Sequence, residues 1–321
     1  MISAWSCAAQ SIYLEPGSNG SNAPFIEGMP ISLTAGFLDR DLQDSLAVDV
    51  DGLPPGVFAV RGAESEGDHQ IRLYGIAPEV GSGRATYRLR WTITGGTASR
   101  TDTTDLTVEP DPATDDDVRN RTLAMVTRNY FHGMPRYEAR MLGRRALPIL
   151  ATSLRDEGLK GHWAEIACAI GFIGDTAYFD TLDAFIWKRF SGTVDLSTYG
   201  AMKVALASMS VMATESPRVL DYLIRCANPE TWESLPWRSR GRHGRDLWLG
   251  MAEMSVQALG YTDAGGAARA LAELASEPYD PSMSIGIHGA RTINAEVRRR
   301  GFVSVWREED RRLHRSPGEG G

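Results

Sequence analysis

The spacing of apolar residues changes once along this chain, from a period of two to a period near 3.6, and the change falls at an acidic stretch with two prolines. Upstream, short runs alternate apolar and polar residues: Ile31-Ser32-Leu33-Thr34-Ala35, Leu46-Ala47-Val48-Asp49-Val50, Ile71-Arg72-Leu73-Tyr74, Tyr87-Arg88-Leu89-Arg90-Trp91-Thr92-Ile93 and Leu106-Thr107-Val108. Turn formers separate them, among them Pro16-Gly17, Gly28, Pro54-Pro55-Gly56, Gly81-Ser82-Gly83 and Gly95-Gly96. Successive strand side chains point to opposite faces, so this alternation sets one face on a core and the other in water. About seven short strands with frequent turns predict a β-sandwich.

Downstream of Val118 the spacing is helical. Leu123, Val126 and Tyr130 share a face; Trp163, Ile166, Ala167, Ile170 and Ile173 form a stripe; Leu182, Phe185, Ile186 and Phe190 mark another helix. Met202, Ala205, Leu206, Met209, Val211 and Met212 are apolar almost all round, the pattern of a helix buried on most sides. A last helical piece through Ile293, Val297, Phe302 and Trp306 reads as a capping element. The chain therefore reads as multidomain, all-β and then all-α. Residues 1–110 form the sandwich, 111–117 an acidic proline-rich linker, 118–315 a helical repeat domain and 316–321 a loose tail. The last linker acids, Asp115 to Asp117, are placed to cap the next helix.

Composition enters where it excludes. Apolar residues at 42% and charged residues at 23% describe a globular chain, not a disordered one. Three cysteines without a CxxC pair give no disulfide framework and no zinc or dithiol motif. No apolar run approaches the roughly 18 residues of a membrane span, so no membrane insertion is expected. The N-terminus, Met1-Ile2-Ser3-Ala4-Trp5-Ser6-Cys7, has neither a basic nor an apolar signal region. With Met1 as the native start, the expectation is a cytoplasmic product or a virion component. The net charge is -7, divided as -11 up to Asp117 and +4 beyond it. An acidic first part and a weakly basic second part disfavour nucleic acid as partner.

Two resemblances follow from particular residues. Phe37-Leu38-Asp39-Arg40-Asp41, Leu53-Pro54-Pro55-Gly56-Val57, Ile71-Arg72-Leu73-Tyr74-Gly75-Ile76-Ala77-Pro78 and Tyr87 to Ile93 occur in the order seen in immunoglobulin- or cadherin-like domains of bacterial surface and phage proteins. Residues 37–108 resemble that family, which implies an Ig-like β-sandwich. Some cadherin-like domains bind calcium, and Asp39, Asp41 and Asp44 in one loop are the candidate ligands here, although the family's second acidic motif is missing. A solvated acidic turn is the competing reading.

In the helical part the carriers are Leu147-Pro148-Ile149-Leu150, Leu154 and Asp156, then Ala167, Ala169-Ile170-Gly171 and Ile173-Gly174-Asp175. The phrase returns as Ala258-Leu259-Gly260 before Ala267, Leu271 and Leu274. Residues 135–277 resemble HEAT repeats on this basis. The 89 residues from Gly171 to Gly260 span about two repeats, with a middle unit near Met209 that lacks the family's glycine. The resemblance implies a curved α–α superhelix that binds chains on its surface, and it places Pro148 inside an outer helix that it kinks.

No HExxH, GxSxG, P-loop, GxGxxG or EF-hand pattern occurs, and no two of the six histidines lie at metal-ligand spacing. The expectation is no enzyme and no cofactor. Cys168, Cys226 and the methionines Met202, Met209, Met212, Met251 and Met254 read as core. His162 reads as a surface or capping residue at a helix start. One loop joins aromatics to cations: Trp232, Trp237, Arg238, Arg240, Arg242, His243 and Arg245 are the candidate partner-binding residues. Arginine forks pair with carboxylates or phosphates, and tryptophan stacks. The competing reading is a solvated insertion docked on the acidic first domain. The expected function is a non-enzymatic binding or scaffold protein that offers its helical surface to a protein partner, with the sandwich as spacer or adhesive module. A structural component of a phage or secreted-apparatus assembly and a nucleic-acid-binding HEAT-like protein are the alternatives.

Overall fold

A computed structural model describes residues 12–16, 24–38, 47–61, 68–95, 98–128, 130, 133–188, 194–233, 244–277 and 281–313. The chain divides into two units. One comprises Met1–Glu27 with Ile31–Asp111, and the other Gly28–Pro30 with Pro112–Gly321.

The first unit is strand-rich. Its strands are β1 (Ile12–Pro16), β2 (Phe25–Ile26), β3 (Pro30–Leu38), β4 (Ala47–Asp51), β5 (Val57–Arg61), β6 (Asp68–Ile76), β7 (Ala85–Gly95) and β8 (Ala98–Glu109). They make two four-stranded sheets, ordered β1-β3-β6-β5 and β2-β8-β7-β4. β7 and β8 pair antiparallel from Ala85 opposite Val108 to Gly95 opposite Ala98, whereas β2 runs parallel to β8. Alternation places Leu89, Trp91 and Ile93 on the inner face of β7. They share one apolar cluster with Val48, Leu106 and Val108 of their own sheet and Ile31, Leu33, Ala35 and Leu73 of the other. On the outer face Arg88 donates to the opposite Asp105 at 3.0 Å, and Arg84 pairs with Glu109. The Leu53-Pro54-Pro55-Gly56 motif is a tight turn: the Val57 N–H donates to the Pro54 carbonyl at 3.0 Å, and Gly56 takes φ +76°. Proline followed by a positive-φ glycine is the type II arrangement.

The sequence predicts one wet face for the strand at Ile71. In β6 the expectation fails, because Arg72, Tyr74 and Ile76 are buried together with Ile71 and Leu73. Phe58 of the neighbouring β5 covers part of that second face, its ring 6.2 Å from Tyr74. Polar-apolar alternation reports one buried face only while the other remains in water.

The second unit is helical. It contains α1 (Asp115–Val126), α2 (Arg136–Arg140), α3 (Leu147–Ser153), α4 (Trp163–Ile173), α5 (Phe179–Lys188), α6 (Leu196–Ser208), α7 (Ser210–Glu215), α8 (Pro217–Cys226), α9 (Gly244–Tyr261), α10 (Ala267–Ser276), α11 (Pro281–Arg300) and α12 (Phe302–Leu313). α1 begins three residues before Val118, so Asp115 to Asp117 form its first turn. Thr114 Oγ1 accepts the Asp117 N–H at 3.1 Å, and the Asp117 carboxylate accepts the Thr114 N–H at 3.0 Å, a capping box. Pro148 corrects the kinked-helix expectation. It is the second residue of α3, behind a 3₁₀ turn at Arg144–Ala146, where a missing N–H leaves no bond unmade. Asp156 lies past that helix and caps the next 3₁₀ turn through the Gly158 N–H at 2.8 Å.

α4 is buried around nearly its whole circumference and packs on α2, α3, α6 and α7. α6 then packs on α9, and α9 on α11, while α8 lies on α7 and α9, and α10 on α9 and α11. The two glycines paired by the sequence both sit where helices meet. A Cβ on Gly171 would stand 2.0 Å from Ser208 Oγ of α6, and one on Gly260 3.0 Å from the Ala290 carbonyl of α11. The helix ends that follow are closed alike, each by a buried polar side chain from another helix. Arg140 donates to the Phe172 and Ile173 carbonyls at 3.3 and 3.2 Å, and Asn294 to the Leu259 and Thr262 carbonyls at 3.2 and 2.9 Å. Terminal carbonyls lack intrahelical partners, and buried ones must find others. α12 is fastened by Trp306, 4.8 Å from the rings of both Phe172 and Phe302, and by Glu309, which pairs with Arg136 and accepts the Tyr261 hydroxyl at 2.7 Å.

Asp195 caps α6. Its carboxylate accepts the Thr198 N–H at 2.9 Å and lies 2.7 Å from Lys160 Nζ; the lysine first, then that N–H, hold it down to about 2. A carboxyl with a folded pKa below its unfolded value of about 3.9 stabilises at neutral pH and loses that contribution as the pH falls from about 4 to 2. The ion pair itself is exposed and contributes little, so the cap dominates. Asp195→Ala is expected to cost about 1 kcal/mol at pH 7. Urea unfolding repeated at pH 2 should show a smaller gap between wild type and variant.

Candidate functional site

The site grows from the amphipathic pattern of α8. Pro217 starts the helix at a position where its missing N–H costs nothing. Val219, Tyr222, Leu223 and Cys226 turn inward, which leaves Arg218 and Arg225 facing solvent. Seven residues separate them, so their Cα atoms lie about 10 Å apart along the axis on one side of the helix. On α5, Phe179, Asp183 and Trp187 recur at every fourth position and share one face. The two faces and Thr231, from the 3₁₀ turn at Pro229–Trp232, line a cleft of about 410 Å³.

Each arginine lies over a ring. The Arg218 guanidinium carbon is 4.8 Å from the Phe179 centroid, and that of Arg225 is 5.6 Å from the Tyr222 centroid. Phe179 and Tyr222 meet edge to face at 5.1 Å. The Tyr222 hydroxyl accepts from Trp187 Nε1 at 3.0 Å and donates to Asp183. Burial pushes the Tyr222 phenol far above its ordinary range, so it keeps its proton. Arg218 also reaches Asp180 at 2.6 Å, while Arg225 makes no ion pair with any described residue. The arrangement therefore offers two guanidinium forks with an aromatic floor between them. Stacking orients such a fork and leaves its N–H edge available to an anion.

Trp232 is the structural support of this cleft. It is 0% exposed, stacks on Trp187 at 5.0 Å and 8°, and donates Nε1 to the Cys226 carbonyl at 2.8 Å. It thus has no free face for a partner. Arg245 is exposed in the first turn of α9. Trp237, Arg238, Arg240, Arg242 and His243 lie outside the described residues, as do Asp39, Asp41 and Asp44. Sequence reading passed over Phe179, Asp183, Arg218, Tyr222 and Arg225. The detectable signal was the seven-residue interval between two arginines on a strongly amphipathic helix.

Met202, Met209, Met212 and Met251 are buried and Met254 is half-buried, as core filling predicts. His162 precedes α4 at its N-cap position without a side-chain capping bond. Burial pushes the Cys168 and Cys226 thiols up to about 12, so neither carries thiolate at neutral pH. A thiol reagent at pH 8 should leave both unmodified in the native chain and label both after denaturation; peptide mapping reads the result. Among the described residues no group of three or more His, Cys, Asp or Glu side chains is placed to hold a metal ion. No described helix is long and apolar enough to cross a membrane.

No family model, curated protein or solved structure matches the chain.

Proposed function

We propose that the chain is a non-enzymatic binding or scaffold protein whose helical unit engages a protein partner. On this reading the helices stack as a HEAT-like α–α superhelix, and the strand unit is an Ig-like sandwich that serves as spacer or adhesive module. Support for the stacking comes from α4, α6, α9 and α11, which pack in chain order, and from the matched closures of α4 and α9. The observation that carries the function is the α5–α8 cleft, where the exposed Arg218 and Arg225 and the half-buried Trp187 line one depression over the buried rings of Phe179 and Tyr222; arginine and aromatic side chains are the types most enriched at protein interfaces. The full chain used as bait in source-cell lysate, with and without nuclease, tests the reading. A stoichiometric protein that survives nuclease is expected. Capture that disappears with nuclease, or no capture, overturns it.

A further inference from the structure

We propose that the α5–α8 cleft binds an extended acidic peptide segment, with Arg218 and Arg225 each taking one carboxylate. The proposal rests on the protein-binding reading above and names the chemistry of that partner.

Charge and spacing carry it. Both arginines belong to one helix and one side of it, with Cα atoms about 10 Å apart along the axis. In an extended polyproline-type segment, residues three apart fall on one face about 9 Å apart, an interval close to the Cα spacing of the two arginines. Arginine pairs with carboxylate through two parallel N–H bonds, and the rings of Phe179 and Tyr222 hold each guanidinium by its face. Arg225 has no ion pair among the described residues to give up. The pair that Arg218 makes with Asp180 joins side chains 68% and 71% exposed, and such a pair exchanges readily for an incoming carboxylate. In the same lining the half-buried Trp187 offers apolar surface for the side chains that separate the two acids. Asp183 is the one carboxylate among the described lining residues, and it already accepts the Tyr222 hydroxyl. Within the described lining Arg218 and Arg225 outnumber Asp183, and Asp180, which balances Arg218 in the unbound cleft, is displaced from that fork by the incoming carboxylate.

The test uses the full chain and dye-labelled probes read by fluorescence anisotropy. One probe repeats Glu-Pro-Leu, and a matched control repeats Gln-Pro-Leu. The acidic probe should bind with an affinity that falls as salt rises, and the Gln control should bind at least about tenfold more weakly. Arg218→Gln and Arg225→Gln, both at exposed positions, should each weaken the acidic probe about tenfold, and Arg225→Lys should recover only part of that loss because it lacks the fork. Equal binding of both probes, no binding of the acidic probe, or undiminished binding to the double variant Arg218→Gln/Arg225→Gln overturns the proposal. Tighter binding of a dT oligonucleotide than of the acidic probe overturns it as well. The scaffold reading stands or falls separately, on the nuclease-resistant partner.

Discussion

Trp232→Ala is expected to destabilise the helical unit by about 3 to 5 kcal/mol, the range for removing a fully buried tryptophan. The side chain has no solvent exposure, and three losses coincide. Its stack on Trp187 disappears, a cavity opens behind α5, and the Cys226 carbonyl loses the indole N–H. Trp232→Phe separates them. It keeps most of the stack and drops only the hydrogen bond, for a loss of about 1 kcal/mol plus a smaller packing term. A tryptophan that instead faced a partner from the surface would tolerate alanine within about 0.5 kcal/mol. Urea unfolding of the three proteins decides between the two roles. A loss below about 1 kcal/mol for the alanine variant would contradict the buried placement.

Gly171→Ala is the second large effect. An added methyl group would lie 2.0 Å from Ser208 Oγ, 2.4 Å from Ser208 Cβ and 2.7 Å from its carbonyl carbon, so backbone as well as side chain stands in the way. α4 and α6 would have to separate along the contact at the middle of the helical unit. Overpacking of this kind costs about 1 to 3 kcal/mol. The better helix propensity of alanine returns up to about 1 kcal/mol. A net loss of about 1 to 2 kcal/mol is expected, and Gly171→Leu should not fold. Adding Ser208→Gly removes the two nearest atoms and leaves the carbonyl carbon, so the double variant should regain only part of the loss. Thermal melts of the single and double variants read this coupling. Additive losses would show that the two residues do not meet.

The features legible from short stretches of residues are local ones. The change of period separated strands from helices because each period follows from backbone geometry within a few residues. Pro54 to Val57 announced a turn because proline and a positive-φ glycine satisfy its dihedral angles without tertiary help. Asp115 to Asp117 announced a helix start for the same reason, although the N-cap itself is Thr114, whose capping box with Asp117 closes within one turn. The recurrence of Gly171 and Gly260 was visible, although the reason for it, a neighbouring helix against each, was not.

Features that depend on partners distant in sequence were set only by packing. Arg72 and Tyr74 read as alternating strand residues, and only their surroundings bury both faces of β6. Pro148 read as a helix interior until the preceding 3₁₀ turn moved the helix start beside it. Trp232 read as part of an exposed basic loop, and packing on Trp187 turned it into core. The cleft itself joins Trp187 to Tyr222 across 35 positions and brings Arg218 over Phe179. Neither helix carries the site alone. Its chemistry arises from how α5 and α8 face each other, and that is set by the burial of Phe185, Ile186, Leu223 and Cys226 on their opposite sides.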